Sequence, residues 1–258
     1  MTFMKGKEMS LLEHITELRR RLVITFFFFV LFVAAGFFLA KPLIIYLQQT
    51  DEAKLLTLNA FKLTDPLFVY VQFAFIIGAV LTSPLVLYQL WAFISPGLYE
   101  KERKVTLSYI PISIILFLGG IAFSYFILFP FVVDFMTRVS DDLNVNQVIG
   151  IHEYFQFLLQ LTLPFGLLFQ MPVVIMFITR LGLVTPMFLA KIRKYAYFVL
   201  FVIAALITPP ELLSHLMVSV PLLILYEISI VISRISYRQA QKTMIQEENQ
   251  AFLNDHTK

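Results

Sequence analysis

The chain has 258 residues, of which 59% are hydrophobic and 14% charged, and its net charge is +3. A soluble domain runs about 45–50% apolar and about 25% charged, so the composition marks a polytopic membrane protein and excludes soluble enzymes, disordered chains and nucleic-acid binders. There is no cysteine, which excludes disulfides, thiolate metal sites and thiol catalysis.

The first predicted element covers Ser10 to Leu22. Ser10 and Glu13 form an S-x-x-E capping box that starts a helix. Leu11, Ile15, Leu18 and Leu22 share one face, and Glu13, Glu17 and Arg20 share the opposite one. An amphipathic helix over about residues 10–21 is therefore expected, lying at the cytoplasmic surface before the first span. Glu17 either pairs with Arg20 and Arg21 on a solvated face or offers its carboxylate to a cationic partner.

A helix needs about 20 residues to cross a hydrocarbon core of roughly 30 Å. Uncharged runs follow at Leu22–Ala40 (19 residues), Pro66–Tyr99 (34), Val105–Val133 (29) and Tyr154–Thr179 (26). The first run is too long for the h-region of a cleavable signal, and no small-residue cleavage site follows it. At the end of the second run, Tyr88, Trp91, Phe93 and Tyr99 form an interfacial aromatic cluster, followed by Glu100 and Glu102 among three basic residues. The fifth run, Tyr195–Pro210, has 16 residues, and the sixth, Leu212–Tyr226, has 15 and continues past Glu227 to Ser233. Between them, Pro209-Pro210 cannot continue a helix and Glu211 is costly in lipid, so a turn at one membrane face is expected there. The polar segment after Gln239 is expected to fray.

Six spans put both termini on one side. Of the 20 Lys and Arg, 16 lie before span one, between spans two and three, between four and five, or after span six; the other side holds Lys41, Lys54, Lys62 and Arg138. The positive-inside rule places both termini in the cytoplasm. The expected fold is an all-α integral membrane protein: a single six-span domain over 1–235 and a polar cytoplasmic tail over 236–258. Prolines 84, 111, 130, 164, 172 and 221 fall inside apolar runs, which predicts kinked and tilted helices. Helices five and six are expected to be short, about 24 Å for 16 residues, with a thinned bilayer beside them.

His14-x-x-Glu17-Leu18-Arg19-x-Arg21-Leu22 resembles the H-x-x-E-L-R-x-R-L signature of the TatC family, the polytopic subunit of the twin-arginine protein translocase. Leu87–Arg103 is similar to that family's L-Y-Q-x-W-x-F-x-x-P-x-L-Y-x-x-E-R loop, and Phe126–Pro130, Phe165-Gly166 with Phe169 and Pro172, Thr208-Pro209-Pro210 and the Glu227 segment match further. The resemblance covers about residues 10 to 235. It implies a protein-translocase subunit, not an enzyme, that recognises twin-arginine signal peptides and nucleates a complex exporting folded proteins across a bacterial plasma membrane.

It further implies that Glu17 and Glu102 bind the arginine pair, and that Phe93, Arg103 and Arg19 shape that site. Carboxylates at a partly desolvated position are what guanidinium groups require. Partners implied are signal peptides, small single-span TatA-type subunits, further copies of the chain and membrane lipids; no cofactor and no nucleic acid is expected. Gln170 departs from the resemblance, standing where many members carry an intramembrane Glu. A proton-linked role is thereby put in doubt, and a polar contact to a partner helix stays open, as it does for Glu211 in the outer turn. Gln160, farther back on the span, is not expected to replace Gln170.

Glu227 is expected near the cytoplasmic interface, either snorkelling or hydrogen-bonded. His14, His152, His215 and His256 are dispersed and show no metal-binding spacing. His14 is assigned a structural role. The alternative function is a secondary transporter of a small solute, for which Gln170 beside Pro172 would be the midplane polar site. An intramembrane hydrolase would need a Ser/His pair, paired intramembrane Asp or a zinc motif.

Overall fold

The computed structural model describes residues 11–54, 56–94, 109–145, 147–180, 182–208 and 212–256. Helix α1 (Leu11–Gln48) runs without a break from the predicted amphipathic segment through the first span. The amphipathic segment and the first span thus form one continuous helix. No Gly or Pro stands between residues 11 and 35 to end the helix. Its apolar residues Ile15, Leu18 and Leu22 face outward, 46–64% exposed. Ser10 of the capping box lies outside the described residues.

A one-turn helix α2 (Asp51–Lys54) and strand β1 (Leu58–Asn59) lead to α3 (Asp65–Ile94). Asp65 is buried and its Oδ2 accepts from the Phe61 and Lys62 amides at 3.0 and 2.8 Å, satisfying donors at the helix entry. Helices α1 and α3 pack closely because small residues meet backbone. A Cβ on Gly36 would stand 2.5 Å from the Ala74 carbonyl oxygen, and one on Gly78 would stand 2.5 Å from Val33. Small residues let membrane helices approach this far. Tyr70 also donates its hydroxyl to the Phe37 carbonyl.

The third span joins α4 (Tyr109–Phe123), a π-helical turn over Ser124–Leu128, and α5 (Phe129–Asp142). Pro130 has no N–H to donate, and the widened turn answers this, with the Phe129 amide reaching back to Ser124. Strand β2 (Ile149–Gly150) pairs in parallel with β1 for two residues and ties together the loops that enter α3 and α6.

Helix α6 (Ile151–Leu168) is the centre of the core. Its Phe155, Leu161 and Phe165 are fully buried, and Phe155 meets Phe73 edge-on at 5.0 Å. The fourth span breaks at Phe169–Gln170, two residues before Pro172, and resumes as α7 (Met171–Arg180). Thr185 caps α8 (Pro186–Lys191) by accepting from the Phe188 amide at 3.2 Å. Helix α9 (Arg193–Ile207) follows, then α10 (Leu212–His256). Buried Ser229, Ser233 and Ser236 lie on α10, and the Ser233 hydroxyl is 2.8 Å from that of Thr179 on α7.

Among the described residues, five helical stretches are long and apolar enough to cross a membrane: 15–48, 65–93, 110–142, 151–180 and 214–239. Helix α9, with 15 residues, is about 22 Å long. The expected short sixth helix is corrected, since its apolar stretch alone spans 26 residues and α10 continues unbroken to His256. The tail that was expected to fray is helical through His256. Prolines 84, 164 and 221 lie inside uninterrupted helices, whereas Pro130 and Pro172 sit beside the π turn and the break.

Candidate functional site

Glu17 and Arg21 are one turn apart on α1, the spacing at which side chains meet. The Arg21 Nε donates to Glu17 Oε1 at 3.1 Å and its Nη2 donates to the same oxygen. The other arm crosses to α3, where Nη1 donates to Gln89 Oε1 at 3.0 Å. Both charged side chains are about one-fifth exposed. Thr25 donates its hydroxyl to the Arg21 carbonyl at 2.9 Å.

Glu17 thus pairs with Arg21, which itself reaches Gln89 on α3, while Arg19 and Arg20 are exposed. Its second oxygen, Oε2, is buried and has no hydrogen-bond partner among the described residues. Leaving a buried acceptor unsatisfied costs about 1–3 kcal/mol, and more for a charged group. The arrangement leaves a buried carboxylate oxygen whose missing hydrogen bond a cationic donor would supply on reaching the site.

Nearby on α3, Tyr88 and Trp91 are in ring contact at 5.8 Å, and Phe93 is partly exposed on the last turn. Glu102 and Arg103 lie outside the described residues, as does Glu211. The sequence singles out Arg21 as a partner for Glu17 but does not single out Gln89. The Glu17–Arg21 spacing was a usable signal for one contact; the Gln89 contact depends on how α1 and α3 pack.

A second polar position lies at the break in span four. Gln170 Nε2 donates to the Ser113 carbonyl on α4 at 2.7 Å, and Gln170 Oε1 is buried without a partner among the described residues. Gln160 is exposed on the outer face. A third cluster joins α9 to α10. Glu227 accepts from Arg193 Nη2 at 2.8 Å and from the Tyr197 hydroxyl, so it is hydrogen-bonded.

Of the histidines with described side chains, His152 lies against Phe68 at a 47° tilt with ring centroids 5.9 Å apart, and His215 meets Phe201 edge-on at 4.0 Å. Among the described residues no group of three or more His, Asp or Glu could hold a metal.

A family model described as "Sec-independent protein translocase protein (TatC)" matches residues 13–221. The chain is 79% identical to "Sec-independent protein translocase protein TatCy" of Bacillus subtilis (strain 168), covering 94% of this chain and 96% of that one. It is 41% identical to "Sec-independent protein translocase protein TatCd" of the same strain, over 93% and 97% of the two chains. A solved structure described as "Crystal Structure of Twin Arginine Translocase Receptor- TatC" superposes with a TM-score of 0.76 at 33% identity, covering 87% of this chain and 99% of that one.

Proposed function

The chain belongs to the TatC family of Sec-independent protein translocase proteins, and from that premise we propose that its Glu17 face receives the arginine pair of twin-arginine signal peptides. Family membership makes it a multi-pass membrane subunit of a translocase and not an enzyme, and sets aside transport of a small solute. The observation that supports the site is the buried Oε2 of Glu17, without a partner among the described residues, beside the α1–α3 contact. A guanidinium group is the donor such an oxygen accepts best.

In this reading Glu102 supplies the second carboxylate, and Phe93, Arg103 and Arg19 border the site. The chain crosses a bacterial plasma membrane six times, with α9 as the fifth crossing, the helices kinked and tilted and both termini cytoplasmic. The distribution of Lys and Arg supports that orientation. Exported precursors then arrive on the side where Glu17 stands. Having bound a signal peptide, the subunit nucleates a complex with single-span TatA-type subunits and with further copies of itself. Gln170 and Glu211 offer polar contacts to those partners. The short α9 thins the surrounding bilayer and eases its breach.

The test is binding of a fluorescent signal peptide to the full-length protein in lipid nanodiscs. An Arg-Arg peptide should bind and its Lys-Lys counterpart should bind more weakly. Glu17→Ala and Glu102→Ala should each weaken Arg-Arg binding while leaving insertion intact. Equal binding of Arg-Arg and Lys-Lys peptides, or loss of insertion in both variants, would refute the proposal.

A further inference from the structure

Arg21 reaches in two directions at once, and neither contact needs a ligand. Two of its nitrogens engage Glu17 Oε1 on its own helix, and a third engages Gln89 on α3. We propose that Arg21, tethered by Gln89, is a positioning residue that occupies Oε1 of Glu17 and leaves Oε2 as a single, end-on acceptor for one guanidinium of the signal peptide. The proposal rests on the signal-peptide reading of Glu17 and deepens it.

A carboxylate with both oxygens open takes a guanidinium as a two-bonded fork. Here one oxygen is already engaged and the other has no partner among the described residues. The guanidinium is planar and its donors are fixed in direction, so bonds on both sides hold its plane and, through it, the carboxylate. The frame behind it is stiff, because α1 and α3 meet at Gly36 and Gly78 with no room for a Cβ. Lysine carries the same charge but is a compact point donor on a flexible stem. It cannot reproduce the three-point contact.

The opposite role for Arg21 is that of an internal competitor which the ligand displaces. The Gln89 tether argues against it. A displaced Arg21 would leave the Gln89 oxygen without its donor and move its own charge out of a site where it is nearly four-fifths buried. The two roles have opposite signs: removing a competitor tightens binding, and removing a positioning residue weakens it.

The experiment measures the affinity of a fluorescent Arg-Arg signal peptide for the full-length protein in nanodiscs. Gln89→Leu should weaken binding about three- to tenfold, the worth of one hydrogen bond, and Gln89→Glu, which keeps an acceptor, should restore it. Arg21→Gln should weaken binding, and Arg21→Lys should not recover the wild-type value. In a Glu17→Ala background Gln89→Leu should have no further effect, because Gln89 acts through Glu17.

Tighter binding by Arg21→Gln would overturn the proposal in favour of a competitor. An equal loss from Gln89→Leu with and without Glu17 would reduce Gln89 to general packing. If Glu17→Ala weakens binding and Gln89→Leu does not, the positioning role fails while the signal-peptide site stands. If Glu17→Ala has no effect, both fail together.

Discussion

Replacing Gln170 by leucine should separate stability from transport. The wild-type side chain donates to the Ser113 carbonyl at 2.7 Å, and its own Oε1 is buried without a partner among the described residues. Hydrogen bonds between membrane helices contribute about 0.6 kcal/mol on average and about 1.7 at most. An unsatisfied buried acceptor costs about 1–3 kcal/mol. Gln170→Leu removes both, and leucine is close in size, so the two effects oppose each other. Folding stability should stay within about 1 kcal/mol of wild type, which is a midpoint shift of at most about 4 °C for a chain of this size. Export should nevertheless fall if the free oxygen is what a partner helix uses. Gln170→Glu in its protonated form keeps a donor for Ser113 and a free oxygen, so export should survive it. The assays are thermal unfolding of purified protein in nanodiscs and export of a reporter precursor at equal protein level. Loss of several kcal/mol in Gln170→Leu would show that Oε1 is satisfied, and wild-type export by the same variant would show that the position only packs.

Gly36→Val should destabilise by about 1–3 kcal/mol through overpacking, because the obstructing atom is the Ala74 carbonyl and not a movable side chain; thermal unfolding checks it against Gly119→Val, where a Cβ meets nothing within 4 Å. Glu227→Ala should destabilise more than Glu227→Gln, since the amide can still accept from Tyr197 and Arg193. A double-mutant cycle with Arg193→Ala should return a coupling of about 0.5–3 kcal/mol, and additivity would show that the pair contributes nothing. Glu102→Lys should weaken Arg-Arg peptide binding more than Glu102→Gln, because it sets a cation against a guanidinium; equal effects would mean that Glu102 does not face the arginines.

The spans that the sequence makes legible are those whose cause is local. Long uncharged runs account for the helices at 15–48, 65–93, 110–142 and 151–180. The sixth helix was underestimated because Glu227 looks like an interruption. Its partners Arg193 and Tyr197 come from α9, 34 and 30 residues earlier, and no local pattern announces them. The segment before span one is legible as a helix, but its unbroken continuation into the span is not. Its apolar face points outward, and Arg21, the partner of Glu17, reaches Gln89, 68 residues away in sequence. The Glu17–Arg21 contact is readable from its spacing, but the Arg21–Gln89 contact depends on packing between two helices. The π turn likewise follows from Pro130, although a proline alone does not say whether a helix will widen, bend or break. Pro172, beside a break, and Pro84, inside a continuous helix, differ in outcome for the same chemistry.

The most direct test of the central claim uses a precursor with a photoreactive residue beside its Arg-Arg pair, bound to the full-length protein in native membranes. After illumination, the attached segments of the chain are mapped by mass spectrometry. The account predicts cross-links to residues 11–22 of α1 and to the end of α3 around Gln89, lost when the pair is changed to Lys-Lys. Cross-links confined to α9, α10 or the β1–β2 loops, with α1 untouched, would contradict it.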